Sequence, residues 1–205
     1  MTNTGRVEIK ASDLLDLLSG AIIATGKDSS LPTLTGISLV SADNSLTATS
    51  TDRYRLITGK VILDPLENNV ANGDFTALLL NKDADQVIKA LKLAVKANRS
   101  PIIVIHVLSE GTITFTLPEQ TFNFRLLDGT FPPFEHLLAM EDADSGKMAF
   151  NCAYLGDFAK IPTGEKSGKV PVVFTFHGNS KLVTITVAHD SIQWRGGIMP
   201  MRYTA

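Results

Sequence analysis

The sequence predicts an α+β fold in which one βαβββ unit is used three times. Three observations carry that prediction. A half-buried strand pattern recurs as Leu46-Thr47-Ala48-Thr49, Ile113-Thr114-Phe115-Thr116 and Val183-Thr184-Ile185-Thr186, at spacings of 67 and 70 residues. Each copy alternates apolar and hydroxyl side chains, so one set faces a core and the other faces water. Each copy also follows an apolar run and precedes, after a polar break, another one. Finally, candidate helix N-caps Ser12, Asn81 and Asn151 lie 69 and 70 residues apart, so a helix recurs in phase with the strands.

The first unit opens on residues 6–10, which alternate as a strand does. Ser12 is placed as an N-cap with Asp13 in the first helical turn, where a carboxylate complements the helix dipole. Leu14, Leu15, Leu18, Ile22 and Ile23 recur at helical spacing, and Gly26 stops the pattern. Leu31-Pro32 is a turn. Strands are expected at 36–41, 45–50 and 55–63, with Ala42-Asp43-Asn44 turning the first hairpin. In the second unit a strand at 75–80 leads to Asn81 as N-cap and a helix over 82–97, whose apolar face is Val87, Ile88, Leu91 and Val95. Strands at 101–108 and 112–117 flank Ser109-Glu110-Gly111, and 121–127 closes the set. Residues 128–133 form a connector.

The third unit begins near Lys147. It has a short strand at 148–150, Asn151 as cap, a short helix marked by Tyr154, Leu155 and Phe158, and a polar loop over 164–169. Strands are expected at 170–176, 182–188 and 191–195. One such unit cannot cover both its sheet and its helix, whereas two side by side can. Units one (about 6–68) and two (73–138) therefore read as a complete domain, 1–138. Residues 139–205 read as a half domain that needs a partner.

Composition bounds the function. The 205 residues are 44% hydrophobic and 20% charged, with a formal charge of −2. This is ordinary for a soluble globular chain, and any DNA contact must come from a local basic surface. One cysteine, Cys152, excludes an intrachain disulfide and fits a reducing cytoplasm. The first residues lack the apolar core of a signal peptide, and no run is long enough to span a membrane. Histidines 106, 136, 177 and 189 have no ligand spacing. Asp13/Asp16 is read as an exposed helix face and Glu141/Asp142/Asp144 as a loop. No phosphate loop, nucleophile elbow or dinucleotide fingerprint is present. The chain reads as non-enzymatic, without metal or cofactor.

Lys89, Lys92, Lys96 and Arg99 fall at steps of three, four and three, on the helix face opposite the apolar stripe, with Lys82 at the helix start. A solvated lysine face and a surface for sequence-independent phosphate contact are both open readings.

Two segments, Leu31-Pro-Thr-Leu-Thr-Gly-Ile-Ser-Leu39 and Ala48-Thr-Ser-Thr-Asp-Arg-Tyr-Arg-Leu56, resemble the middle domain of the bacterial DNA polymerase III beta subunit, the sliding clamp. Leu127-Asp-Gly-Thr-Phe-Pro-Pro-Phe134 resembles that domain's exit segment. Phe150-Asn-Cys-Ala-Tyr-Leu-Gly-Asp-Phe158 and Ile198-Met-Pro-Met-Arg202 resemble the second half of the family's last domain. The resemblance implies a shortened DNA-clamp fold of one and a half clamp domains. It also implies a role in DNA replication and no chemistry of its own.

The resemblance further implies two sites. Lys82, Lys89, Lys92, Lys96 and Arg99 would touch duplex DNA. A hydrophobic pocket would take short peptides of DNA polymerases or repair proteins. Its matching positions in the first unit are Leu34, Thr51, Arg53, Tyr54, Arg55 and Leu56. Those in the connector are Pro132, His136 and Leu137, and those in the tail are Met199, Pro200, Met201 and Arg202. Gly197 and His136 depart from the family's pattern and imply a larger, softer pocket. A homo-oligomer is expected, either a ring or a dimer through self-pairing of the third unit. The alternative reading is a clamp mimic or regulator that binds clamp partners or subunits without encircling DNA.

Overall fold

The computed structural model describes residues 4–64, 70–97, 101–140, 148–164, 170–178 and 180–202. The first unit is β1 (Gly5–Lys10), α1 (Ala11–Ala21), β2 (Gly36–Ala42), β3 (Ser45–Thr51) and β4 (Arg55–Ile62). A short strand not foreseen from the sequence, β5 (Val70–Asn72), precedes the second unit. That unit is β6 (Phe75–Leu80), α2 (Asn81–Ala97), β7 (Ile102–Leu108), β8 (Thr112–Thr116) and β9 (Thr121–Arg125). A four-residue helix, α3 (Glu135–Leu138), lies in the connector. The third unit is α4 (Cys152–Phe158), β10 (Val172–Thr175), β11 (Val183–Val187) and β12 (Ile192–Ile198). Its opening strand, expected at 148–150, is reduced to one bridge, Ala149 to Met201. The recurring threonine pattern occupies β3, β8 and β11, the middle strand of each unit. Its apolar members Leu46, Ala48, Ile113, Phe115, Val183 and Ile185 are buried.

Two antiparallel sheets result. One runs β5-β1-β7-β8-β9 and the other β10-β11-β12-β4-β3-β2-β6. The first two units exchange opening strands: β1 pairs with β7 and β6 pairs with β2. The third unit extends the first unit's sheet, with β12 against β4 from Ile192↔Val61 to Ile198↔Arg55. Helices α1 and α2 pack on each other. Leu14, Leu17 and Leu18 of α1 join Val87, Ile88 and Leu91 of α2 in one core with strand residues such as Ile103, Ile105 and Phe115.

The helix starts differ in part from expectation. Asn151 caps α4, its Oδ1 accepting from the Ala153 amide at 2.9 Å. Asn81 is the first residue of α2 itself. Ser12 does not cap α1: the N-cap is Lys10, with no side-chain cap bond. Strand β1 runs straight into the helix, and the Ala11 amide donates to Pro101 O at 2.8 Å. The segment just before β7 thus satisfies a group that a cap would otherwise serve. Helix α1 also stops at Ala21, and Ile22–Ala24 continue as a 3-10 turn.

Strand β12 runs past Arg195, where the sequence suggested an end, through Gly196 and Gly197. Both glycines mark close approach. A Cβ on Gly196 would lie 2.6 Å from Leu56 O, and one on Gly197 would lie 2.4 Å from Leu182 Cδ2. Trp194 fastens the third unit to the first. Its ring lies against Gly20 of α1 and Gly59 of β4, where added Cβ atoms would sit 2.1 and 2.5 Å from it.

Candidate peptide groove and nucleic-acid interface

The β3–β4 connection is Thr51-Asp52-Arg53-Tyr54-Arg55. Asp52 Oδ1 accepts from the amides of Tyr54 and Arg55, each at 3.0 Å. Thr51 Oγ1 donates to Arg55 O at 2.8 Å and accepts from the Arg53 amide at 3.2 Å. Such side-chain-to-backbone bonds hold a tight turn, and here they hold Arg53 at φ +78°, a conformation uncommon outside glycine. The turn leaves Tyr54 exposed and points Arg55 inward.

The Arg55 guanidinium bonds Asp52 at 3.1 Å, forms an ion pair with Asp157 of α4, and lies 4.7 Å from the centre of the Tyr154 ring. Tyr54 stacks on Tyr154 at 6.4 Å. Asp157 also pairs with Lys160. One arginine thus joins the first unit's hairpin to the third unit's helix, through the bidentate and stacking geometry that a guanidinium allows.

Beside this turn is a cavity of about 330 Å³, within the size range of ligand pockets. Leu31, Thr33, Leu34, Thr51, Arg53 and Leu56 form one side, and Pro132, Pro133, Phe134 and Leu137 the other. A second hollow of about 360 Å³ shares Leu31, Leu34 and Arg53 and continues to Tyr54, Arg55, Asp28 and Tyr154. Together they make a groove divided by the Arg53 turn. Of the residues expected from the sequence, Leu34, Thr51, Arg53, Leu56, Pro132 and Leu137 line the first hollow, and Tyr54 and Arg55 the second.

The other expected pocket residues line neither hollow. His136 is exposed on α3. Met199, Pro200, Met201 and Arg202 run alongside the turn: the Met199 amide donates to Tyr54 O at 2.9 Å, and the Met201 amide to Ala149 O at 2.7 Å. The side chains of Met199 and Met201 are exposed. Gly197 opens no extra space, because Leu182 fills the position a side chain would take. Sequence reasoning missed Leu31, Thr33, Pro133, Phe134 and Tyr154. The Leu31-Pro32 pair was legible only as a turn and Tyr154 only as a helix marker.

Lys82, Lys89, Lys92 and Lys96 are all exposed on α2, opposite buried Val87, Ile88 and Leu91. Arg99 lies outside the described residues. Lys89 is paired with Asp85 at 2.6 Å, one turn away. Burial raises the Asp83 carboxyl above its ordinary value.

The carboxylates of α1 are not a free face, contrary to expectation. Asp13 accepts from Ser191 Oγ at 3.3 Å, and Asp16 lies 3.3 Å from His189 Nε2. His189 Nδ1 accepts from the amides of Ser191 and Ile192 at 3.0 and 3.1 Å. In the neutral imidazole these bonds make Nδ1 the acceptor and leave the Nε2 proton facing Asp16. Burial pushes the Asp16 carboxyl above the ordinary range, with the His189 bond and charge opposing and Asp13 adding to the rise. Among the described residues no group of three or more His, Cys, Asp or Glu could hold a metal ion. None of the helices they form is long and apolar enough to cross a membrane.

Comparison with known proteins fits this architecture. Residues 8–133 match the family of the DNA polymerase III beta subunit, central domain. The beta sliding clamp of Halalkalibacterium halodurans is 27% identical over 161 residues, 78% of this chain and 40% of that protein. That of Streptomyces coelicolor is 34% identical over 124 residues, 58% of this chain and 30% of that protein. The chain thus spans well under half the length of these relatives. In structure it is similar to the sliding clamp of Bacillus subtilis, with a TM-score of 0.78 at 19% identity, covering 97% of this chain and 64% of that one. It is likewise similar to the clamp of Pseudomonas aeruginosa, at 0.75 and 17%, covering 97% and 67%. With its two βαβββ units, a third whose opening strand is reduced to a bridge, and the central-domain match, the chain belongs to the DNA polymerase III beta subunit (sliding clamp) family.

Proposed function

We propose that this protein is a non-enzymatic, sliding-clamp-like tether. It holds duplex DNA without regard to sequence through α2, and docks DNA polymerases or repair proteins through short apolar peptides in the groove beside the Arg53 turn. The observation that carries the reading is that groove, an apolar trough with a polar turn across its middle, suited to alternate apolar side chains of an extended peptide. On the DNA side, Lys82, Lys92 and Lys96 are exposed while the carboxylates of α1 are turned into the β11–β12 hairpin. The helix pair therefore presents cations without a facing acidic row, and lysines of this kind contact phosphates by charge alone. The protein would work in the cytoplasm, with residues 1–138 as a complete clamp domain, 139–205 as a half, and self-association completing the assembly.

The ion pair of Lys89 with Asp85 favours a second reading, because it removes one cation from the face. In that reading the chain is a clamp mimic that binds clamp peptides or subunits without encircling DNA. Anisotropy titrations with duplex DNA at several salt concentrations separate the two. The tether requires binding that weakens with salt and is reduced, with a flatter salt dependence, on charge reversal of Lys89, Lys92 and Lys96. Peptide binding that survives this reversal alongside undetectable DNA binding would establish the mimic instead.

A further inference from the structure

We infer that two copies of this chain associate through their third units, each laying its 148–150 segment along the free edge of the other copy's β10. The template is inside the molecule. In the first two units, each opening strand crosses to cover the first strand after the other unit's helix. Strand β1 lies on β7 over six residue pairs, and β6 lies on β2 over six. Strand β10 holds the position in the third unit that β2 and β7 hold in theirs, yet it ends its sheet, and among the described residues no strand pairs with its outer side.

The chemistry of that edge fits a strand partner. Val172, Val173 and Phe174 are exposed, and so is Phe176 just beyond. The run 170–176 contains no charged residue. Pro171 precedes the strand, but Val172–Thr175 itself carries no lysine, proline or bulge of the kind that keeps such edges apart. The other component is also present: among the described residues the segment 148–150 makes one backbone bridge in its own chain, Ala149 to Met201, with Met148 and Phe150 half-buried against the core. Ala153 and Gly156 are exposed on α4, so α4 can approach its counterpart closely, as α1 approaches α2. A reciprocal exchange of this kind is isologous, closes with two-fold symmetry and leaves no free β10 edge. The inference deepens the self-association proposed above, and the two fail separately. Association through another face would leave the first standing and remove the second.

The test uses the full 205-residue chain. Light scattering over a wide concentration range should reach twice the 22.1 kDa monomer mass. Hydrogen exchange should show the outward-facing, alternate amides of residues 172–175, those not bonded to β11, becoming protected as the dimer forms. Val173→Lys should weaken self-association roughly tenfold or more, by placing an ammonium in the apolar contact, with an unchanged far-UV spectrum. Three results would each overturn the inference: a monomer at every concentration, a dimer whose β10 amides exchange as in the monomer, or a mass explained by a different protein bound at this edge. If Val173→Lys does not fold, the exchange pattern of the unmodified chain decides alone.

Discussion

Truncating Trp194 tests how the third unit is attached. The indole is 1% exposed and fills the space over Gly20 and Gly59, so no neighbour can move in when it is removed. Trp194→Ala should therefore cost about 3–5 kcal/mol, the range for deleting a large buried aromatic. At the middle of that range the melting temperature falls by about 8–16 °C for a chain of this size. A control separates volume from polarity. Trp194 Nε1 has no hydrogen-bond partner among the described residues, and an unpaired buried donor itself costs about 1–3 kcal/mol. Trp194→Phe loses ring volume but also that orphan donor, and the two effects oppose, so its net cost should stay below about 1.5 kcal/mol. Urea unfolding followed by far-UV circular dichroism measures both. A Trp194→Ala cost under about 1.5 kcal/mol, or a Phe variant as destabilised as the Ala variant, would refute the view that the ring wedges the third unit against α1 and β4.

Other expectations follow from the groove, the helix and the α1 contact. Arg55→Ala leaves Asp52 and Asp157 without their shared cation and should cost about 2–3 kcal/mol, less than a fully buried pair because both carboxylates keep some water. Arg55→Lys should recover little of this, since an ammonium cannot pair with both carboxylates and stack on Tyr154; thermal unfolding reads both. Leu137→Asp places a charge in the apolar hollow and should weaken binding of a clamp-binding peptide at least about tenfold, measured by calorimetry. Reversing Lys89, Lys92 and Lys96 should flatten the slope of log affinity against log salt for duplex DNA by about 0.9 for each phosphate no longer neutralised. Because the folded Asp16 carboxyl is raised above 3.8, its protonated form contributes stability that is full below pH 3.8 and lost as the pH rises through the folded value. Asp16→Asn, which keeps an acceptor for His189, should therefore be more stable relative to the parent at neutral pH than at pH 3.8 in urea titrations.

Much of the fold was legible because its signals are local. The alternation in 45–51, 112–116 and 183–187 follows from the two-residue period of a strand with one buried face, and the helix over 82–97 from the 3.6-residue period of Val87, Ile88 and Leu91. Half of the groove was legible too, through the family resemblance carried by the contiguous run Thr51 to Leu56. The rest was not, because its determinants are distant in sequence. Ser12 looks like a cap until Pro101 O is found bonding the Ala11 amide. Asp13 and Asp16 look like a solvated face until His189 and Ser191 arrive from more than 170 residues away. Gly197 looks like an enlarged pocket until Leu182 fills it.

The order of residues was enough to specify the repeat, the helix and strand types, the lysine stripe and the family resemblance. All of these are written in spacings shorter than one unit or in the recurrence of that unit. Only in three dimensions does it emerge that the opening strands are exchanged, that β12 continues the first unit's sheet at β4, and that Arg55 binds Asp157. The apolar edge of β10 emerges at the same level. The physical reason is that periodicity specifies which face of an element seeks burial but not which surface buries it. That choice is made by shape, as where Trp194 meets two glycines, and by charge, as where the half-buried Arg55 guanidinium finds its second carboxylate.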